Sequence, residues 1–120
     1  MSHASGLASG FLEPESLITQ HYTARKVLNY ETTLAEMMDI LSALPLDFHP
    51  GTSWGYSCAT NVLGRMVEII SGQSFDEFLR LRIFEPFGIR DTGFFVPPES
   101  HDRLAVLYSG ADLLDPMKGG

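Results

Sequence analysis

Cysteine is almost absent from this sequence. Cys58 stands alone, which excludes an internal disulfide and any zinc site built on cysteines. Basic residues are scarce, eight Lys+Arg against fifteen Asp+Glu, for a formal charge of -7. Arg25-Lys26 is the one adjacent basic pair, so the electrostatic footprint of a nucleic-acid binder is missing. No apolar run approaches the length of a membrane span, and no basic-then-apolar leader opens the chain. The expectation is a cytoplasmic chain with no membrane partner. No Gly-rich loop follows a strand pattern, so no nucleotide is called for. The four histidines, His3, His21, His49 and His101, fall in no metal-binding spacing and read as lone surface residues. No cofactor and no metal is expected, although His49 with Asp47 or His101 with Asp102 leaves a metal-assisted hydrolase as a rival reading.

What is present is a run of helical signals. The 120 residues suffice for one domain with one core, and 44% are hydrophobic, as in soluble globular proteins. Residues 1–16 are rich in Ser, Gly and Ala and read as loop; residues 17–30 carry no clear period. Thr33-Leu-Ala-Glu36 has capping-box form, and Leu34, Met37, Met38, Leu41 and Leu44 recur at helical spacing up to Pro45. A second helix is expected over 58–71, on Val62, Leu63, Met66, Val67 and Ile70, with Gly72 at its left-handed end. Ser74-Phe-Asp-Glu77 has the form of a second capping box, opening a helix that Pro86 and Gly88 close. "DTGFFVPP" suggests one short strand, residues 100–107 a short helix, and the last fourteen residues the start of a strand. The expected class is mainly α, with a strand or two at most.

The stretch "GTSWGYSC", residues 51–58, carries the chemistry. Gly51, Ser53 and Gly55 spell the G-x-S-x-G of a nucleophile elbow. That elbow needs a buried strand before the serine, and "LPLDFHP" holds two prolines and no β-branched run. Chance alone supplies roughly 0.09 such matches in a chain of this composition. Ser53 is therefore read as a loop hydroxyl.

A different pattern runs through the same residues. "MSHASGL", "HPGTSWGYS" and "IFEPFGIRDTGF", in that order and spacing, resemble the β-lactamase-like serine hydrolases, a superfamily of class C β-lactamases, D,D-peptidases and carboxylesterases. The resemblance implies the helical part of an α/β fold. It places Tyr56-Ser57-Cys58 on the family's Tyr-x-Asn motif. Tyr56 is then the expected catalytic residue, as general base or proton relay, and Trp54 and Ser57 beside it the expected substrate contacts. A tyrosine serves as a base only where cationic neighbours bring its pKa down from about 10. Cys58 stands where the family has Asn. A thiol cannot reproduce an amide's hydrogen bonds, which tilts the resemblance toward small esters and away from β-lactams.

The family's nucleophile motif, Ser-x-x-Lys, occurs nowhere in the sequence, and Thr23-Ala-Arg-Lys26 is a chance fit in the wrong region. The resemblance therefore implies a truncated domain, without the family's usual acyl-enzyme activity. Its helices would expose apolar faces and pair as a homodimer or higher oligomer. A non-catalytic helical oligomer, acting as a binding module, is the rival from outside enzymology.

Overall fold

The computed structural model describes residues 2–106. These fall in two compact units, one ending at Arg90 and the other beginning at Asp91. The first unit holds four α-helices: α1 Leu17–Ala24, α2 Leu34–Ser42, α3 Ala59–Ser71 and α4 Phe75–Leu79, the last running into a π-helical segment, Arg80–Phe84. No strand forms among the described residues, so the mainly α class holds.

Each helix starts and stops for a local reason. The Thr33 hydroxyl accepts the Glu36 amide at 3.2 Å, and Glu36 Oε2 accepts the Thr33 amide at 2.8 Å, so the capping box of α2 is complete. The Thr33 amide and, at 2.8 Å, the Thr33 hydroxyl both donate to Glu36 Oε2, and these bonds hold the Glu36 carboxyl below its usual range. Gly72, at φ 69°, ends α3 in the left-handed conformation. The second capping box does not form. Ser74 takes the N-cap position of α4, but its side chain caps nothing. Glu68 of α3 accepts the first amide of α4, that of Phe75, at 3.2 Å, while Arg65 steadies Glu68 at 3.0 Å. The Ser74 hydroxyl is engaged with the Asp76 carboxyl, which it holds below its usual range.

The core gathers Ala8, Tyr22, Val27, Met37, Leu41 and Cys58, with Leu7, Ile18, Leu34, Met38, Ile40, Leu44 and Val62 packed against it. Helix α1 settles the ambiguous 17–30 stretch by burying Thr19 and Tyr22; Thr19 Oγ1 donates to the Leu12 carbonyl at 2.8 Å. Gly64 lets α3 receive its neighbours closely, because a Cβ there would sit 3.1 Å from Leu34 Cδ1 and 3.4 Å from Phe75 Cδ1.

The N-terminal segment lies along the loop between α2 and α3. The Asp47 amide donates to the Gly6 carbonyl at 2.8 Å, Gly51 to Ala4 at 2.8 Å, Gly55 to His3 at 2.9 Å and Cys58 to Ala8 at 3.1 Å. The donors are spaced three or four residues apart, so this strap of backbone bonds is not a β-ladder.

In the second unit the strand suggested for "DTGFFVPP" is absent. Pro97 and Pro98 cannot donate to a ladder, and Pro98 opens a 3₁₀ turn, Pro98–Arg103, where a short helix at 100–107 was expected. Arg103 clasps Asp91 through two bonds of 3.0 and 2.7 Å, which hold that carboxyl below its usual range. The strand suggested for the last fourteen residues lies outside the described residues.

Candidate functional site

Four aromatic rings meet where the strap crosses the loop. The His3 carbonyl accepts from Gly55, which sets the His3 ring between Trp54 and Tyr56. It stacks on Tyr56 with centroids 5.0 Å apart and planes 27° from parallel, and meets Trp54 edge-on at 6.2 Å and 70°. Phe11 closes the row, edge-on to Tyr56 at 6.2 Å and 70°. Such offset and T-shaped contacts follow the ring quadrupoles and fix the rings' mutual geometry.

The expected site residues separate into two kinds. Tyr56 is half exposed, and its hydroxyl makes no hydrogen bond among the described residues. No cation of the described residues engages it, so a proton acceptor at this position takes its activating charge from elsewhere. Trp54 is exposed beside it. Ser57 is buried, and its Oγ accepts the Ala59 amide at 3.4 Å at the start of α3, facing the helix. Ser53 lies exposed on a loop with no strand before it, without the geometry of an elbow.

Cys58 is the N-cap of α3 and packs in the core. Burial pushes its thiol up to about 11. At neutral pH it is a protonated, inert side chain, in contrast to the exposed, low-pKa thiols of reactive cysteines.

His3 is not the lone surface histidine the sequence suggested. Its Nδ1 is buried without a partner and its ring faces Tyr56. His3 and Phe11 were missed as site residues because they lie far from Tyr56 in sequence. The one usable signal was that "MSHASGL" and "HPGTSWGYS" both matched the family pattern. The metal-assisted alternative finds no support in side-chain placement: no group of three His, Cys, Asp or Glu residues that could hold a metal occurs among the described residues. The His101 ring instead bonds the Val96 carbonyl at 3.0 Å. Nor is any helix among the described residues long and apolar enough to cross a membrane.

Comparison with known proteins gives this geometry its context. The family model described as Beta-lactamase matches residues 1–119. Lovastatin esterase of Penicillium rubens is 34% identical over 107 residues, covering 89% of this chain and 26% of that protein. Esterase EstB of Burkholderia gladioli is 34% identical over 110 residues, 90% of this chain and 27% of that protein. Penicillin-binding protein 4 of Amycolatopsis lactamdurans is 31% identical over 118 residues, 97% and 28%. The chain thus spans about a quarter of the length of these relatives.

Proposed function

This chain belongs to the Beta-lactamase family, and from that premise we propose that it is the tyrosine-bearing segment of a serine hydrolase that acts on esters. One observation carries the proposal. Tyr56 presents a hydroxyl with no hydrogen bond among the described residues, at the end of a strapped loop, while the position two residues on holds a buried thiol. In this reading the Tyr56 oxygen accepts the proton of the attacking hydroxyl and returns it to the departing alcohol. The 120 residues contain no Ser-x-x-Lys, and no cation among the described residues engages the phenol, so in this reading the nucleophile and the activating charge are supplied from outside the segment described. Cys58 withdraws from the site the amide that would hold a polar, amide-containing substrate. An ester needs no such contact. The esterase names of two relatives point the same way.

The test is a transplant. Residues 1–120 replace the matched segment of Esterase EstB, and turnover of p-nitrophenyl butyrate and nitrocefin is measured with and without chelator. The expected result is chelator-insensitive ester hydrolysis with no detectable nitrocefin turnover. Tyr56→Phe should cost about 10²–10⁴-fold, the usual worth of a positioned proton acceptor. Ser53→Ala should leave the rate intact. A folded chimera whose ester turnover survives Tyr56→Phe refutes the role of Tyr56.

A further inference from the structure

His3 stands in a strained conformation that the strap does not require. Its φ is 50°, in the left-handed region, which histidine tolerates better than most residues but glycine adopts freely. The bonds at this crossing are backbone ones: the His3 carbonyl accepts the Gly55 amide at 2.9 Å, and the Ala4 carbonyl accepts the Gly51 amide at 2.8 Å. A glycine at position 3 would make the same bond without strain. Nor does the imidazole serve a polar partner. Its Nδ1 is buried and unbonded, whereas Nε2 is not enclosed in that way. What the side chain contributes is a flat ring, and that ring lies on Tyr56 with centroids 5.0 Å apart and planes 27° from parallel. Strain held by a residue whose side chain makes no structural bond points to a role in the site.

The ring acts on a side chain that little else restrains. Tyr56 is half exposed, its hydroxyl makes no hydrogen bond among the described residues, and Phe11 meets it only edge-on. A phenol in that state has several staggered wells open to it. The stack is carried on the backbone beside it, because the amide that the His3 carbonyl holds belongs to Gly55, the residue before Tyr56. The nitrogens fit one tautomer. A neutral imidazole has one N–H and one bare nitrogen, and a bare acceptor is the less unfavourable of the two to bury unmet. The proton then sits on Nε2 and Nδ1 is bare.

We propose that His3 is a positioning residue: as a neutral imidazole with its proton on Nε2, it stacks on the phenol and keeps the Tyr56 hydroxyl in one orientation for the proton it accepts. The proton transfer rests on the esterase reading; the restraint on the ring does not. Aromatic pairing of this kind biases a rotamer population about two- to tenfold. His3 does not touch the reacting atoms, so its effect falls on the turnover of the bound complex and not on binding.

Two variants test this. His3→Gly removes the ring and relieves the strain; His3→Phe keeps a flat ring without the nitrogens. In the 120-residue chain, protection of the Gly55 amide against hydrogen exchange reports the strap and should persist in both. Three-bond couplings at the Tyr56 β-protons read its χ1. The parent should show one rotamer, His3→Gly an average over several, and His3→Phe one again. The ring nitrogen shifts of the parent in mildly alkaline solution should show N–H at Nε2 and a bare Nδ1. In the EstB chimera, His3→Gly should lower kcat about two- to tenfold with KM unchanged, and His3→Phe should restore it. A single Tyr56 rotamer in His3→Gly, a proton on Nδ1, no rescue by His3→Phe, or a KM that rises while kcat holds overturns the proposal. So does loss of Gly55 protection in His3→Gly, which would make the ring a structural part of the strap. An inactive chimera, or one whose turnover survives Tyr56→Phe, strikes the esterase reading alone, and the couplings still decide whether His3 positions the ring.

Discussion

Replacing Gly6 by alanine should loosen the strap that brings His3 to Tyr56, and the structure sets the size of the effect. Gly6 has φ 78°, where a residue with a Cβ incurs about 1–2 kcal/mol. The added Cβ would lie 2.1 Å from the Phe48 carbonyl oxygen, which is backbone and can retreat only by moving the loop. That movement breaks the 2.8 Å bond from the Asp47 amide to the Gly6 carbonyl, worth about 0.5–1.5 kcal/mol net. The sum is about 1.5–3.5 kcal/mol, a large share of the roughly 5–15 kcal/mol that holds a domain together. Gly51→Ala is the matched control. Gly51 has a similar φ, 83°, yet nothing lies within 4 Å of its missing Cβ. It should lose only the conformational part, about 1–2 kcal/mol. Urea unfolding of the two variants beside the parent gives the difference, and the cross-peak between the His3 and Tyr56 rings reports the strap. The cross-peak should vanish in Gly6→Ala and persist in Gly51→Ala. Equal destabilisation of the two, with the cross-peak intact in both, refutes the steric argument and with it the idea that the strap positions the ring row.

Cys58 predicts a loss of stability in alkali. Its pKa is raised in the fold, so its contribution is complete below the unfolded thiol's pKa and disappears as pH climbs through about 11. The rise from the ordinary thiol range, discounted for partial solvent screening, is worth about 1–2 kcal/mol. Urea midpoints should therefore fall more steeply with alkali in the parent than in Cys58→Ala, and parallel curves would contradict the buried-thiol account. The isolated 120-residue chain should also self-associate through α3, where Ile69 is 66% and Ile70 81% exposed, each forfeiting up to about 1.5–3 kcal/mol of burial. Sedimentation should show a dimer or larger species at micromolar concentration that Ile69→Glu with Ile70→Glu dissociates; a monomeric parent would exclude it.

The helices were legible wherever their ends are written in neighbouring residues. Thr33 with Glu36 and Gly72 each act within a turn of their own position, so their effect survives any tertiary context. Ser74 shows the limit. Its capping-box spacing is as good as that of Thr33, but its hydroxyl is engaged with the Asp76 carboxyl, while Glu68 reaches in from the preceding helix to the Phe75 amide. Spacing identifies what can cap and says nothing of the other partners a side chain finds. The strand suggested at 91–98 failed for a related reason: apolar Phe94, Phe95 and Val96 meet the propensity, yet a strand needs a partner, and the two prolines after them deny a ladder.

The site divides along the same line. That Tyr56 and Trp54 lie together was legible because the loop that presents them is a contiguous motif; their roles rest on the proposed function. His3 and Phe11 reach them through the strap, whose bonds run between backbone groups and leave no mark on side-chain periodicity. Gly6 is the one residue that records the crossing, since only a glycine tolerates the Phe48 carbonyl there. Cys58 sits where a change of side chain costs the fold little. As the N-cap of α3 it makes no side-chain cap bond, while its amide and carbonyl already serve the strap and the helix through Ala8, Asn61 and Val62. The backbone thus does the structural work, and the side chain is left to packing. A thiol can be buried there without a partner, whereas an amide enclosed in the same way would need its donors and acceptor satisfied. In the proposed esterase reading, a thiol in place of an amide would remove a polar substrate contact and keep the loop, the strap and the half-exposed Tyr56 in place, narrowing what the site holds without dismantling it.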